Sequence, residues 1–140
     1  MMMPAPLNGI NMDSLIGFVE KHGDALANLT TRQVLDDIIK PSANDARESF
    51  VNSSTPTEER KAATVFVSHC WDYLFLDFYD NLISWWTDNG ECADDYFWID
   101  VFVVNFHATS NARPPEWIPT VIKACPKVTV SLVVAIGICL

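Results

Sequence analysis

Basic residues are scarce in this sequence. Nine lysines and arginines stand against 18 aspartates and glutamates, for a formal charge of −9. A general nucleic-acid binder needs a basic footprint to neutralise phosphates, and anionic membranes attract polybasic segments, so neither is an expected partner. Glycine is sparse as well: the five present form no glycine-rich phosphate loop and no G-x-S-x-G elbow. The four cysteines, Cys70, Cys92, Cys125 and Cys139, include no C-x-x-C pair. The opening "MMMPAPLNGINMDS" has neither the positive charge nor the apolar core of a secretory leader. These lacks predict free thiols in a reducing, cytoplasmic setting, where the N-x-S/T triplets at Asn28 and Asn52 are chance matches. The C-terminal "VTVSLVVAIGICL" is apolar but far short of the ~20 residues a membrane-spanning helix needs. It is expected to be a buried strand.

What is present suits a globular protein. With 140 residues, 49% of them hydrophobic, the chain can bury one sizeable core but not two. Residues 1–10 look like a disordered start, 11–61 like a helical lead-in and linker, and 62–140 like an α/β unit. In the lead-in, Asn11 or Asp13 can cap a helix that Gly23 terminates. Thr30 with Gln33 forms a capping box for a second helix, whose buried stripe is Val34, Leu35, Ile38 and Ile39 and which Pro41 should end. Asp36 and Asp37 fall on its solvated side. A helical turn over 45–50 and a polar linker complete this part.

From residue 62 the pattern alternates. A strand is predicted at 64–68, and a helix at 73–87 with Leu74, Phe78, Leu82, Trp85 and Trp86 on one broad face. A second strand follows at 96–100, extending toward 104. Pro115 can start a short helix, and the last strand covers 128–136. Continuous apolar strands alternating with helices belong to parallel sheets covered on both faces.

Ligands of such sheets bind beyond the carboxyl ends of the strands. Ser68 and His69 close the first strand with Trp71 just beyond, Asp100 closes the second, and Asn105 and His107 follow in its exit loop. If the strands are neighbours, these six side chains converge as a candidate ligand site. A Ser/His/Asp hydrolase is disfavoured, because adjacent Ser68 and His69 on an extended chain point to opposite faces. A zinc site from His69, Cys70, Asp100 and His107 has suitable ligand types but no recognised spacing. Binding of a nucleotide or similar molecule through backbone amides and these side chains fits the composition better. The bland alternative is structural: His69 bonding within a loop, Asp100 capping a turn, Cys70 a buried filler. The five tryptophans then serve as core and cover.

The segments "VFVSHCWDYLFLDFYDNL" and "YFWIDVFVVNFH" resemble two elements of TIR-like domains. One is a strand ending in S-H followed by an amphipathic helix; the other is a strand of the form W-x-D-x-F-x-x-N-Q-H, with Phe106 here in the glutamine position. "LTTRQVLDDIIKP" is similar to the helical lead-in of the same group, and the likeness spans about residues 29–133. It implies a flavodoxin-like, parallel three-layer α/β domain that signals, or self-associates with copies or other TIR-like domains. In some members it cleaves NAD, which makes NAD the candidate ligand or substrate, with no bound cofactor expected. The family's R-x-W-C-L-x-E run, near its catalytic glutamate, is missing from this sequence. The expectation is therefore a partial interaction module with an incomplete sheet. The alternatives are an NAD nucleosidase lacking its glutamate helix, and a fragment with no function of its own.

Overall fold

Three consecutive residues, Val65, Phe66 and Val67, are all buried, so both faces of their strand are covered. The computed structural model describes residues 7–42, 49–56, 59–104 and 117–130. It places this strand, β2 (Val65–Ser68), inside a sheet of order β1-β3-β2-β4. β3 (Tyr96–Trp98) and β4 (Lys127–Val130) flank β2 and run parallel to it. The first predicted strand is thus central, with the second and third on either side. The molecule is a mixed α/β protein with a small sheet.

The sheet is not wholly parallel. β1 (Ile10–Asn11) pairs antiparallel with β3, Ile10 opposite Phe97 and Asn11 opposite Tyr96. Residues 7–10 therefore do not belong to a disordered start. The Ala63 amide donates to the Leu7 carbonyl at 2.6 Å, and the Gly9 amide to the Lys61 carbonyl at 3.0 Å. The approach is so close that a Cβ on Gly9 would lie 2.9 Å from the Tyr96 carbonyl carbon. Only glycine fits there.

Helix α1 (Met12–His22) begins where Asn11 accepts from the Ser14 amide, and ends at Gly23, whose φ of 42° suits a residue without Cβ. A 3-10 turn (Gly23–Leu26) leads to α2 (Thr31–Val34), whose N-terminus carries the Thr30/Gln33 capping box. A π turn (Leu35–Ile39) and α3 (Lys40–Ser42) continue the same helix, so Pro41 does not end it. Proline lacks an N–H and its ring crowds the carbonyl four residues back. A widened turn, in which the Lys40 amide reaches the Leu35 carbonyl, directly precedes the proline. The Ser42 hydroxyl then donates to the Ile38 carbonyl at 2.6 Å. Asp36 and Asp37 are exposed, as their spacing predicts.

Ser49 caps α4 (Phe50–Ser54) by accepting from the Asn52 amide. Residues 45–48 of the expected turn lie outside the described residues. α5 (Phe75–Asp88) buries Phe75, Phe78 and Leu82, with Trp85 and Trp86 packed at the margin. Leu74, expected on this face, is the N-cap and is exposed. α7 (Trp117–Ala124) admits Pro119 in its first turn, where an N–H would have no helical partner. Of the last predicted strand, 131–136 falls outside the described residues.

The core draws on both halves of the chain. Leu15, Phe18, Leu26, Val34 and Leu35 from the lead-in join Val65, Phe75, Trp98 and Phe102 in one cluster. Phe18 packs edge-on against Phe50, Phe75 and Phe102 with centroids 5.1–6.0 Å apart. Trp98 stacks on Phe66, which supports the core role expected of the tryptophans; the Trp117 side chain lies outside the description.

Candidate functional site

The second predicted strand stops early. After Trp98 the chain turns at Ile99 into a short helix, α6 (Asp100–Val103), and all four of its residues are buried. Asp100 therefore opens a helical turn instead of closing a strand. Its Oδ1 accepts from the Val101 amide at 2.8 Å, which sets the carboxyl group at the N-terminal end of the turn.

Parallel pairing of β2 with β3 brings the two exits together. His69 Nε2 lies 2.8 Å from Asp100 Oδ1, and the Trp71 indole N–H donates to both carboxylate oxygens, at 3.2 and 3.1 Å. With the carboxylate as acceptor, Nε2 carries the hydrogen of the His69 contact. The imidazole also stacks on Phe78 of α5, with centroids 4.6 Å apart. Ser68 ends β2, half-buried, opposite Val130 of β4. Asn105 and His107 lie outside the described residues. The structure thus unites His69, Trp71 and Asp100, sets Ser68 beside them in sequence, and leaves two of the six candidates without a place.

The cluster is closed. His69 is 2% exposed, Asp100 1% and Trp71 7%. The lead-in supplies part of its cover, through contacts that motif reading does not reach. The Thr31 and Arg32 amides, at the start of α2, donate to the Tyr73 and Trp71 carbonyls. The Arg32 guanidinium sits 5.2 Å from the Trp71 ring centroid, and its Nε contacts Asp72 at 3.3 Å. These amides are the orphan donors of a helix N-terminus, and the post-β2 loop supplies their acceptors. Arg32 is a residue that sequence reasoning missed. Its only sequence signal is position 2 of a capped helix.

Of the four expected zinc ligands, His69 and Asp100 meet, Cys70 lies between His69 and Trp71 in the chain, and His107 is outside the described residues. Among the described residues no group of three or more His, Cys, Asp or Glu side chains is placed to hold a metal. Cys70 is disulfide-bonded, contrary to the free thiol expected there, whereas Cys92 and Cys125 are free. Burial pushes the Cys125 thiol above its ordinary range.

A cavity of about 380 Å³ lies elsewhere. Gly9, Asn11, Ser14, Arg60, Lys61 and Tyr96 are among its lining, at the amino ends of the parallel strands. Arg60 already donates to the Asn52 and Thr55 carbonyls. This cavity is remote in the sheet from the His69–Asp100 pair. By the strand-end rule it has the weaker claim to be the ligand site.

No protein-family model, curated protein or solved structure matches the chain. No helix among the described residues is long and apolar enough to cross a membrane.

Proposed function

We propose that this chain is a signalling and interaction module of the TIR-like, flavodoxin-like kind, without NAD-cleaving activity of its own. The observation that carries this reading is the engagement of Asp100. Its carboxylate faces the His69 imidazole, the Trp71 indole and the Val101 amide inside the core. Breaking the nicotinamide–ribose bond develops oxocarbenium character, and a carboxylate that stabilises it must face the substrate. Asp100 faces inward. Asp72 and Asp77, the other acids of this region, are exposed, and Asp72 contacts Arg32.

Self-association, or pairing with other TIR-like domains, is the role this reading assigns. Among the described strands β4 ends the sheet, and an end strand offers backbone donors and acceptors to a second chain. The runner-up is an NAD-binding or NAD-cleaving site, favoured by the meeting of His69 and Asp100 beyond the strand ends.

Two measurements separate the readings. Incubation with NAD, followed by chromatography, should show no nicotinamide above the buffer blank. Turnover that is lost in Asp100→Ala but kept in the exposed control Asp37→Ala would favour the enzyme. Light scattering over a concentration series should show dimers or larger species; a monodisperse monomer at high concentration would count against the interaction role.

A further inference from the structure

The seam that closes the cluster has two unusual properties. First, it is held partly by exposed contacts: Arg32 and Asp72 retain 48% and 70% of their side-chain accessibility. Exposed pairs of this kind hold weakly. Three backbone hydrogen bonds complete the seam, from the Thr31, Arg32 and Phe75 amides to the Tyr73, Trp71 and Leu29 carbonyls, at 2.9–3.0 Å. Second, closure carries a cost. Thr31 is fully buried, and its hydroxyl has no hydrogen-bond partner among the described residues. A buried hydroxyl without a partner favours any state in which water reaches it.

The backbone departs from regular geometry on both sides of this segment. Asn28 has a φ of 64°, in the left-handed region, and the π turn Leu35–Ile39 follows α2. Leu26, before Asn28, and Leu35, at the start of the π turn, are anchored in the core, at 0% and 1% exposure. The segment between them has fixed ends, and its middle is tied to the rest of the fold by the seam contacts.

We propose that residues 29–33 form a latch, which opens locally while the rest of the fold stays intact and so exposes the Trp71–Asp100–His69 cluster to solvent. Arg32 lies over Trp71, Trp71 donates to Asp100, and Asp100 meets His69, so the segment sits against the outer end of the cluster. The proposal goes beyond the TIR-like reading and does not depend on it. Local opening of this kind draws on the least stable contacts of a fold.

The test uses the full chain. Amide exchange is followed at Thr31 and Arg32 and compared with Val65, Phe66 and Val67 of β2. In parallel, diethyl pyrocarbonate modification of His69 is mapped by peptide mass spectrometry. The seam amides should exchange faster than those of β2, and His69 should be modified at a matching rate. Arg32→Ala removes the cation–π contact and the ion pair, and should raise both rates about five- to tenfold. Thr31→Val keeps the shape and deletes the hydroxyl, and should lower both. The latch is overturned if seam amides and His69 react only at the rate of global unfolding in all three proteins. It is equally overturned if Thr31→Val speeds either reaction.

Discussion

At the scale of single residues, the chemistry of this molecule is concentrated on one carboxylate. Asp100 receives hydrogen bonds from a tryptophan and a backbone amide and faces an imidazole, all in a setting that water hardly reaches. Removing a buried acceptor leaves its donors unpaired, which costs more than the bonds themselves contribute. Asp100→Ala should therefore lower unfolding free energy by about 3 kcal/mol or more, whereas Trp71→Phe, which keeps most of the ring packing, should cost about 1–2 kcal/mol. Urea titration of the two variants beside Asp37→Ala checks both, the control staying within about 0.5 kcal/mol of the parent. Equal losses in Asp100→Ala and the control would mean that the cluster contributes nothing to stability. That His69 and Asp100 meet was legible in the sequence, because parallel neighbours bring their exits together. That they meet in a closed interior was not, since part of the cover over Trp71 comes from Arg32, some forty residues away in the chain.

At the scale of elements, local signals served well where they were periodic or carried a cap. Asn11, Gly23 and the Thr30/Gln33 pair mark their helix ends within a residue. They failed at "YFWIDVFVV", where an unbroken apolar run fits a buried strand or a buried helix equally, and the chain forms one and then the other. They failed also at β1, two residues long, whose pairing is supplied entirely by β3. The strands are tied at their amino ends as well. Lys127 at the start of β4 donates to Asp95, just before β3, at 2.8 Å, and the Lys127 amide bonds the Thr64 carbonyl between them. The hydrogen bond to Asp95 holds the Lys127 ammonium above the ordinary lysine value of 10.5. A raised folded-state value means that the tie contributes fully below the unfolded pKa and is lost as pH rises through the folded one. Wild-type stability relative to Lys127→Met should stay constant from pH 6 to about 9.5 and decline above about 10.5. Urea midpoints for the two proteins across that range would show it. A gap that narrows below neutrality instead would place the titrating group elsewhere.

At the scale of the whole molecule, the lead-in and the α/β part share one interior, with Phe18 of α1 packed on Phe75 of α5 and Phe102 of α6. The boundary near residue 61, visible as a change of composition, is not a boundary in the core. The N-terminal segment is part of the same unit, and Gly9 is its tightest joint. A methyl group there meets backbone atoms of Ala63 and Tyr96, which cannot swing aside as a side chain would. Gly9→Ala should accordingly cost about 1–3 kcal/mol, read as a lower thermal midpoint, while Gly17→Ala, with open space around it, should be neutral or slightly stabilising. The sheet order has a consequence for how the chain is made. β2 is synthesised before both of its parallel neighbours, and the start of β4 leaves the ribosome roughly sixty residues later, about 3–12 s at ordinary translation rates. β3 follows halfway through that interval, but until β4 is made one backbone edge of β2 stays unpaired, so the nascent chain offers a chaperone a strand edge that the finished protein hides.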